Sequence, residues 1–385
     1  MAEKILASEM QASTSKKGML TIGMSTYDDF DGVYFTIQAI RLYHQEVLDK
    51  LSFIVIDNNP GTSISEALQQ FGSSIKNFKY LPFSAYTGTA VRDVFFREAA
   101  TEYVMSVDSH ILIEAGGLKR LIDYLDHHQD CKDLLQGPLI YDSLDGHYST
   151  GFFPAWQQGM YGYWETDPRG INSDHEPFEI TMQGLGLFAC RKAAWPGFNP
   201  KFRGFGGEEG YIHEKFRQQD ARVLCLPFLR WMHRFYRPGG TKYAINWGDR
   251  IYNYHLGWKE IGWDTTSIDT HFTALLGSPA FEKEMEQINY DLNSPFAYFD
   301  AVYFIYDEND EQTNPVNHPL IEELNLHRLI RKYPLLENNY ERTRTCIFEQ
   351  AIKYDLDTIL IFDHRQQVEL DILNNFKKYT AQMKM

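Results

Sequence analysis

The chain has 385 residues, enough for two domains or for one large domain with an appended piece at roughly 100–200 residues per domain. Hydrophobic residues make up 43% of it and aromatics 15%, which supplies a core and excludes disorder as the main state. With 37 basic and 52 acidic side chains the net charge is −15, which excludes a protein that coats nucleic acid with its whole surface.

Residues 1–18 are polar, carry Glu3 early and hold no apolar stretch of signal-peptide length, so a disordered lead is expected there. The run at 19–25 is β-prone, 26–32 is a loop, and 33–49 carries apolar residues at helical spacing. The unit repeats: 51–56 is an almost continuous apolar strand ending at Asp57 and a turn cluster through Gly61, and 63–71 is the next helix. A short strand at 79–82, a helix at 90–100 and a buried strand at 103–107 follow, the last stopping at Asp108. Alternation of this kind predicts a parallel sheet with right-handed crossovers, whose ligands sit at the carboxyl ends of the strands. Asp57 and Asp108 both lie at such ends.

From 137 to 264 the chain is rich in glycine, aromatics and turn residues, which predicts a mixed sheet with long pocket-forming loops. Residues 265–293 read as a helical connector. A small α/β unit is expected beyond it, with strands at 301–306 and 358–362, helices at 319–332 and 341–354, and a terminal helix. The expected division is therefore a lead at 1–18, an α/β domain at 19–264 and an accessory region at 265–385. Cys131, Cys190, Cys225 and Cys346 form no CxxC pair, so neither a zinc knuckle nor a disulfide framework is expected. With no apolar run near the ~18–20 residues that span a bilayer, the sequence reads as a soluble cytoplasmic protein without membrane insertion.

Three segments could carry chemistry. Asp108-Ser109-His110 sets a carboxylate and an imidazole two residues apart after a buried strand; in an extended segment both point the same way. An oxygen ligand with an imidazole suits Mn²⁺ or a similar divalent ion; a turn in which Asp108 caps the next segment is the alternative. The glycine-rich stretch from Arg203 to Tyr211 ends in Glu208 and Glu209 ahead of a helix at 213–219, and either carboxylate is a candidate for binding a sugar hydroxyl or acting as a base. The alternative there is a capped glycine turn. Residues 224–233 read as one apolar strand running into His233, within a stretch (215–250) that holds eight basic side chains against two acidic ones. Phosphate binding is one explanation, since guanidinium forks match phosphate oxygens; a solvated basic face is the other.

In this order the segments resemble the metal-dependent glycosyltransferases of GT-A fold, and most specifically the catalytic domain of the polypeptide N-acetylgalactosaminyltransferases. Asp108-Ser109-His110 matches that family's strand-end Asp-x-His. Gly184-Leu185-Gly186-Leu187-Phe188 is similar to its "GGLF", with Leu185 replacing a glycine, and Phe205-Gly206-Gly207-Glu208-Glu209 to its "WGGEN", with Phe205 for Trp and Glu209 for Asn. The resemblance spans about residues 19–240. It implies a nucleotide-diphospho-sugar transferase fold, a Rossmann-like mixed sheet flanked by helices, with a small C-terminal α/β unit in the place of the family's lectin domain.

It also implies a metal held by Asp108, His110 and His233, with Mn²⁺ (or Mg²⁺) as the ion and a UDP-sugar as donor. Asp57 would bind the base; Arg92, which matches an arginine in the helix before the metal motif, would join Asp108, Arg234 and Arg237 in binding the nucleotide-sugar; Gly186 and Glu208 would line the sugar pocket. Transfer would retain the anomeric configuration, and Glu208 or Glu209 would be the general base if it inverts. The acceptor would be a hydroxyl of a protein, a saccharide or, as in phage-type DNA glycosyltransferases, a hydroxymethylated DNA base. For the last, bases would stack on the aromatics that interleave the basic stretch, Trp231, Phe235, Tyr236, Tyr243 and Trp247. A nucleotidyltransferase or a non-catalytic nucleotide-sugar-binding protein is the competing reading. The acidic loop holding Asp28, Asp29 and Asp31 argues against the former, which needs a Gly-rich basic loop after its first strand.

Overall fold

The structure is a computed structural model and describes residues 18–84, 86–237, 240–243, 245–293, 299–310, 330–353, 356 and 358–363. Its first half alternates β1 (Leu20–Thr26), α1 (Phe30–Tyr43), β2 (Leu51–Asp57), α2 (Ser63–Ser73), β3 (Phe78–Pro82), α3 (Arg92–Glu98) and β4 (Tyr103–Val107). Then come β5 (Ile111–Ile113), α4 (Gly117–His127), β6 (Leu134–Gln136), β7 (Leu139–Ile140), β8 (Tyr148–Ser149), the hairpin β9 (Gly151–Gln157) and β10 (Met160–Glu165), β11 (Phe178–Glu179) and β12 (Leu187–Arg191). Next are α5 (Tyr211–Arg217), β13 (Val223–Cys225) and β14 (Trp231–His233), followed by the helices α6 (Trp247–Ile261), α7 (Thr266–Leu276) and α8 (Ser278–Asn293). The described chain closes with β15 (Ala301–Tyr306), β16 (Ile330–Pro334), α9 (Tyr340–Lys353) and β17 (Ile359–Asp363).

An eight-stranded mixed sheet in the order β11-β13-β6-β12-β4-β1-β2-β3 forms the centre. β1 lies parallel to both β2 and β4, opposing Leu20 to Leu51 on one side and to Tyr103 on the other. Strand order therefore reverses between β1 and β4, and such a reversal opens a crevice at the strands' carboxyl ends. Antiparallel β12 extends the sheet beyond β4, with Leu187 opposite Val107.

Both faces are covered, which is why the strands read as nearly unbroken apolar runs. Phe53, Val55, Met105, Leu187 and Ala189 face one core with Val33 and Ile37 of α1 and Leu118 of α4. Their neighbours Ile54, Ile56, Val104, Phe188 and Cys190 face the other with Phe95 of α3 and Phe216 of α5. A four-stranded sheet, β5-β14-β7-β8, stands where β4 ends, and β16-β15-β17 form a parallel sheet of their own. Among the described residues no helix is long and apolar enough to cross a membrane, and the four cysteines are unbridged.

Several expectations are corrected. The single strand expected at 224–233 is two, β13 and β14, because a turn at 226–230 breaks it at Pro227. The helix expected over 319–332 cannot hold at its end, since residues 330–334 form β16 beside β15; the rest of that span, the lead at 1–17 and the terminal helix lie outside the described residues. Asp108 to His110 is a turn rather than an extended segment.

Helix α3 reaches the sheet through Gly23, where a Cβ would lie 2.5 Å from the Phe95 ring. Gly23→Ala is expected to cost about 1–3 kcal/mol through overpacking. Urea unfolding measures it, and Phe95→Leu in the same chain should recover part of the loss; additive penalties would contradict the packing argument.

Candidate functional site

Asp108 follows β4 directly, and its N–H donates to the carbonyl of Gly186 (2.8 Å). The turn after it is tied to α1: the Thr36 hydroxyl donates to the carbonyls of Ser109 and Ile111 and accepts from the Ile111 N–H. β5 then pairs antiparallel with β14, setting His233 opposite Ile111, and the Arg234 N–H donates to the His110 carbonyl at 3.1 Å. Backbone pairing thus carries a histidine from far along the chain to the side of the turn.

The outcome is a cluster. Asp108, His110 and His233 each present one donor atom, all within 4.8 Å of one another. His110 Nε2 faces His233 Nε2 at 3.1 Å, and His233 Nε2 is 3.4 Å from Asp108 Oδ2. Burial pushes Asp108 upward, but the hydrogen bond from His233 and the charges of Arg92, His110 and His233 outweigh it and hold the carboxyl well below the ordinary range. Arg92 Nη2 reaches Asp108 Oδ1 at 3.4 Å and its Nη1 lies 3.8 Å from Glu208 Oε1.

Beside the cluster lies a cavity of about 1160 Å³. Its walls come from the loop after β1 (Tyr27–Asp31), Asn58, Arg92, Asp108 to His110, the glycine loop at Arg203 to Phe205, and the segment after β14, with Arg234, Arg237 and Lys242. One further wall comes from the C-terminal sheet, at Ala301, Val302, Ile330, Arg331 and Lys332.

The glycine loop needs its glycines. Gly206 and Gly207 have φ of +99° and +88°, and a Cβ on Gly207 would stand 2.6 Å from Asn253. The Asn253 amide clamps the loop to α6, donating to the carbonyls of Arg203 and Gly206 and accepting from the Arg203 N–H. At the other side Gly88 and Gly204 form a backbone bridge, and the Gly206 N–H donates to the Thr89 hydroxyl. This docking brings Glu208 to Arg92.

Other expected site residues lie off the cavity wall. Asp57 is 1% exposed, its Oδ2 accepts from the hydroxyls of Ser65 and Tyr80 (both 2.6 Å) and its Oδ1 from the Asn59 N–H, and it is not among the residues that line the cavity; its neighbour Asn58 is. Gly186 packs behind the cluster, where a Cβ would meet the Trp231 ring at 2.8 Å, and is not a wall of the cavity. Glu208 and Glu209 are buried and also lie off the cavity surface. Glu209 accepts from the Tyr254 hydroxyl (2.7 Å) and from the Gly207 N–H (3.2 Å), which makes it part of the turn.

The basic stretch does not act as a unit. Lys215, Arg217, Arg222 and Arg230 pair with Glu260, Glu214, Asp133 and Glu114, and Arg250 donates to the Gly159 carbonyl. Of the eight, Arg234, Arg237 and Lys242 reach the cavity. Its aromatics are split too: Trp231 is buried, whereas Phe235 and Tyr236 are exposed.

Sequence reasoning missed Asp29, whose Oδ2 lies 3.4 Å from His110 Nδ1. The signal was a carboxylate just ahead of a helical apolar pattern, after the strand beside the reversal in the sheet. Burial raises Asp29, but the His110 hydrogen bond and the Gly32 N–H hold it below the ordinary carboxylate range.

No protein-family model and no curated protein matches the chain. Among solved structures it is similar to GalNAc-T7 with UDP, GalNAc and Mn²⁺, at 16% identity and a TM-score of 0.51, covering 72% of this chain and 58% of that one. The chain thus spans less than two thirds of the GalNAc-T7 chain. TarS 1–349 from S. aureus in complex with UDP-GlcNAc aligns at 11% identity and TM-score 0.43 over 95% of this chain and 91% of that one. The mannosyltransferase PcManGT from Pyrobaculum calidifontis with GDP-Man and Mn²⁺ aligns at 12% and 0.43 over 99% and 90%. The chain has the GT-A fold, in agreement with the resemblance read from its motifs.

Burial, followed by the charge of Glu208, pushes the Glu209 carboxyl upward. With that carboxyl raised from 4.5 to about 7, the folded chain binds more proton at Glu209 than the unfolded chain across that interval, so its contribution to stability is present at acid pH and lost as pH rises through the raised value. Glu209→Gln cannot ionise. Its Tm should decline less than the parent's between about pH 5 and 8, and equal slopes in a thermal scan would contradict this.

Proposed function

We propose that the protein is a divalent-metal-dependent glycosyltransferase that moves a sugar from a UDP-sugar to an acceptor hydroxyl. The observation that carries the reading is the meeting of Asp108, His110 and His233 at the carboxyl end of β4, beside a cavity large enough for a nucleotide-sugar and walled by Arg92, Arg234, Arg237 and Lys242. One carboxylate and two imidazoles form a donor set suited to Mn²⁺, and the two Nε2 atoms face each other as ligands to a shared ion would. When bound, that ion supplies Lewis-acid neutralisation of the leaving diphosphate. Arg92 holds Asp108 in place and keeps it charged, while Arg237 and Lys242 add fixed positive charge where the diphosphate would lie.

Retention of configuration is the outcome we favour. Neither Glu208 nor Glu209 lines the cavity, so neither is placed to activate an acceptor from the opposite side of the sugar. In a retaining transfer the departing phosphate takes the acceptor proton, and no side-chain base is required. Four of the eight basic side chains are engaged in ion pairs and Arg250 with the Gly159 carbonyl, which weakens the argument for a DNA acceptor, so we keep a protein or saccharide hydroxyl. In this reading the C-terminal sheet helps to select the acceptor, because it supplies one wall of the cavity.

Incubation with a panel of nucleotide-sugars and Mn²⁺ should release UDP from at least one UDP-sugar and stop on addition of a chelator. Asp108→Ala should lower that rate by at least about 100-fold with an unchanged circular dichroism spectrum; turnover indifferent to chelator and to this change would sink the metal assignment. The anomeric configuration of the product, read by NMR, should match the donor's, and an inverted product would exclude the retaining course.

A further inference from the structure

We propose that Asp29 is a positioning residue that fixes the tautomer and orientation of His110, so that the Nε2 lone pair is free to face the ion; this rests on the function proposed above. An imidazole offers two nitrogens on opposite edges, and in the neutral ring one carries the proton while the other accepts or ligates. Here the Nε2 edge faces His233 at 3.1 Å and the Nδ1 edge faces Asp29 Oδ2 at 3.4 Å. With its proton on Nδ1, held toward the Asp29 carboxylate, His110 presents a bare Nε2 to the cluster. A carboxylate behind a ligating histidine acts this way, raising its basicity and fixing its ring.

Asp29 is built to stay there. It is the N-cap of α1, with Oδ1 accepting from the Gly32 N–H at 3.1 Å, and the Ser109 hydroxyl donates to Oδ2 at 3.2 Å. A Cβ at Gly32 would lie 2.4 Å from Asp29 Oδ2 and 2.6 Å from the Ser109 carbonyl, so a glycine is needed for α1 to bring the carboxylate this close.

A competing arrangement exists in the same structure. Arg237 Nη1 lies 3.3 Å from His110 Nδ1, as does the Ser109 hydroxyl. A guanidinium can only donate, so this contact requires a bare Nδ1 and puts the proton on Nε2, between the two histidines. That tautomer cannot ligate through Nε2. Asp29, an ion-pair partner at 3.4 Å, and Arg237, at 3.3 Å, thus favour opposite tautomers of one ring, and the proposed role of the carboxylate is to select the competent one.

Two variants and two readouts test this. Asp29→Ala removes the carboxylate; Asp29→Ser removes it but keeps a side-chain acceptor for the helix cap, separating loss of the cap from loss of positioning. Calorimetric titration with Mn²⁺ alone should show both variants binding about 10- to 100-fold more weakly than the parent. In the metal-free protein labelled with ¹⁵N-histidine, the His110 ring, assigned by its absence from His110→Gln, should carry its proton on Nδ1 in the parent and shift toward Nε2 in both variants. Parental Mn²⁺ affinity in the variants, or an Nε2 proton in the parent, would overturn the proposal and leave the proposed function standing. A parent chain that binds no Mn²⁺ and turns over no nucleotide-sugar would remove the function, and the role of Asp29 with it.

Discussion

The site depends on one short antiparallel pairing, β5 against β14. Its register, His233 opposite Ile111, decides that a side chain more than 120 positions downstream arrives beside His110. A slip of one residue would turn His233 to the opposite face of that small sheet, because side chains alternate along a strand. The pairing is held at both ends. Trp231 is buried, and its indole donates to the Gly137 carbonyl at 2.9 Å, while Thr36 grips the backbone on either side of His110 from below. A helix, a strand end and a remote strand thus share the work of placing three donor atoms.

The electrostatics follow from that placement. Asp108 sits among Arg92, His110 and His233, and Arg92 is in turn balanced by Glu208. One anion therefore serves several neighbouring donors. That is how a carboxylate close to the protein interior stays charged: burial alone would favour its neutral form, and three polar neighbours reverse the sign. The same surroundings leave Glu208 with a structural partner in Arg92 and withdraw it from the cavity surface.

Much of the fold was legible because its signals are local. The strands β1, β2 and β4 are buried on both faces and read as apolar runs, and the helices between them carry their own periodicity. Asp108, His110 and His233 were legible as residue types at strand ends. What could not be read was occupancy. Asp57 has the same strand-end position as Asp108, yet Ser65 and Tyr80 both donate to its Oδ2 and the Asn59 N–H to its Oδ1, and that is a consequence of where α2 and β3 pack. The charge count over 215–250 hid a similar division, since the stretch crosses α5, β13, β14 and the start of α6, and only Arg234, Arg237 and Lys242 of its basic side chains line the cavity. Asp29 was read only as one member of an acidic loop, and Asn253 went unread because a clamp has no chemistry-bearing spacing of its own.

The cavity has a wall that does not belong to the central sheet. Val302 of β15 and Ile330 to Lys332 of β16 line the same space as the donor-atom cluster, and the Arg331 guanidinium, stacked 4.7 Å over the Tyr86 ring, donates to the Pro200 carbonyl near the glycine loop. A chain cut after α8 would keep every donor atom and lose one side of the chamber in which they work. Exchange of that sheet would accordingly reshape one side of the cavity while leaving the cluster intact, so that the volume beside the three donor atoms can change without touching them.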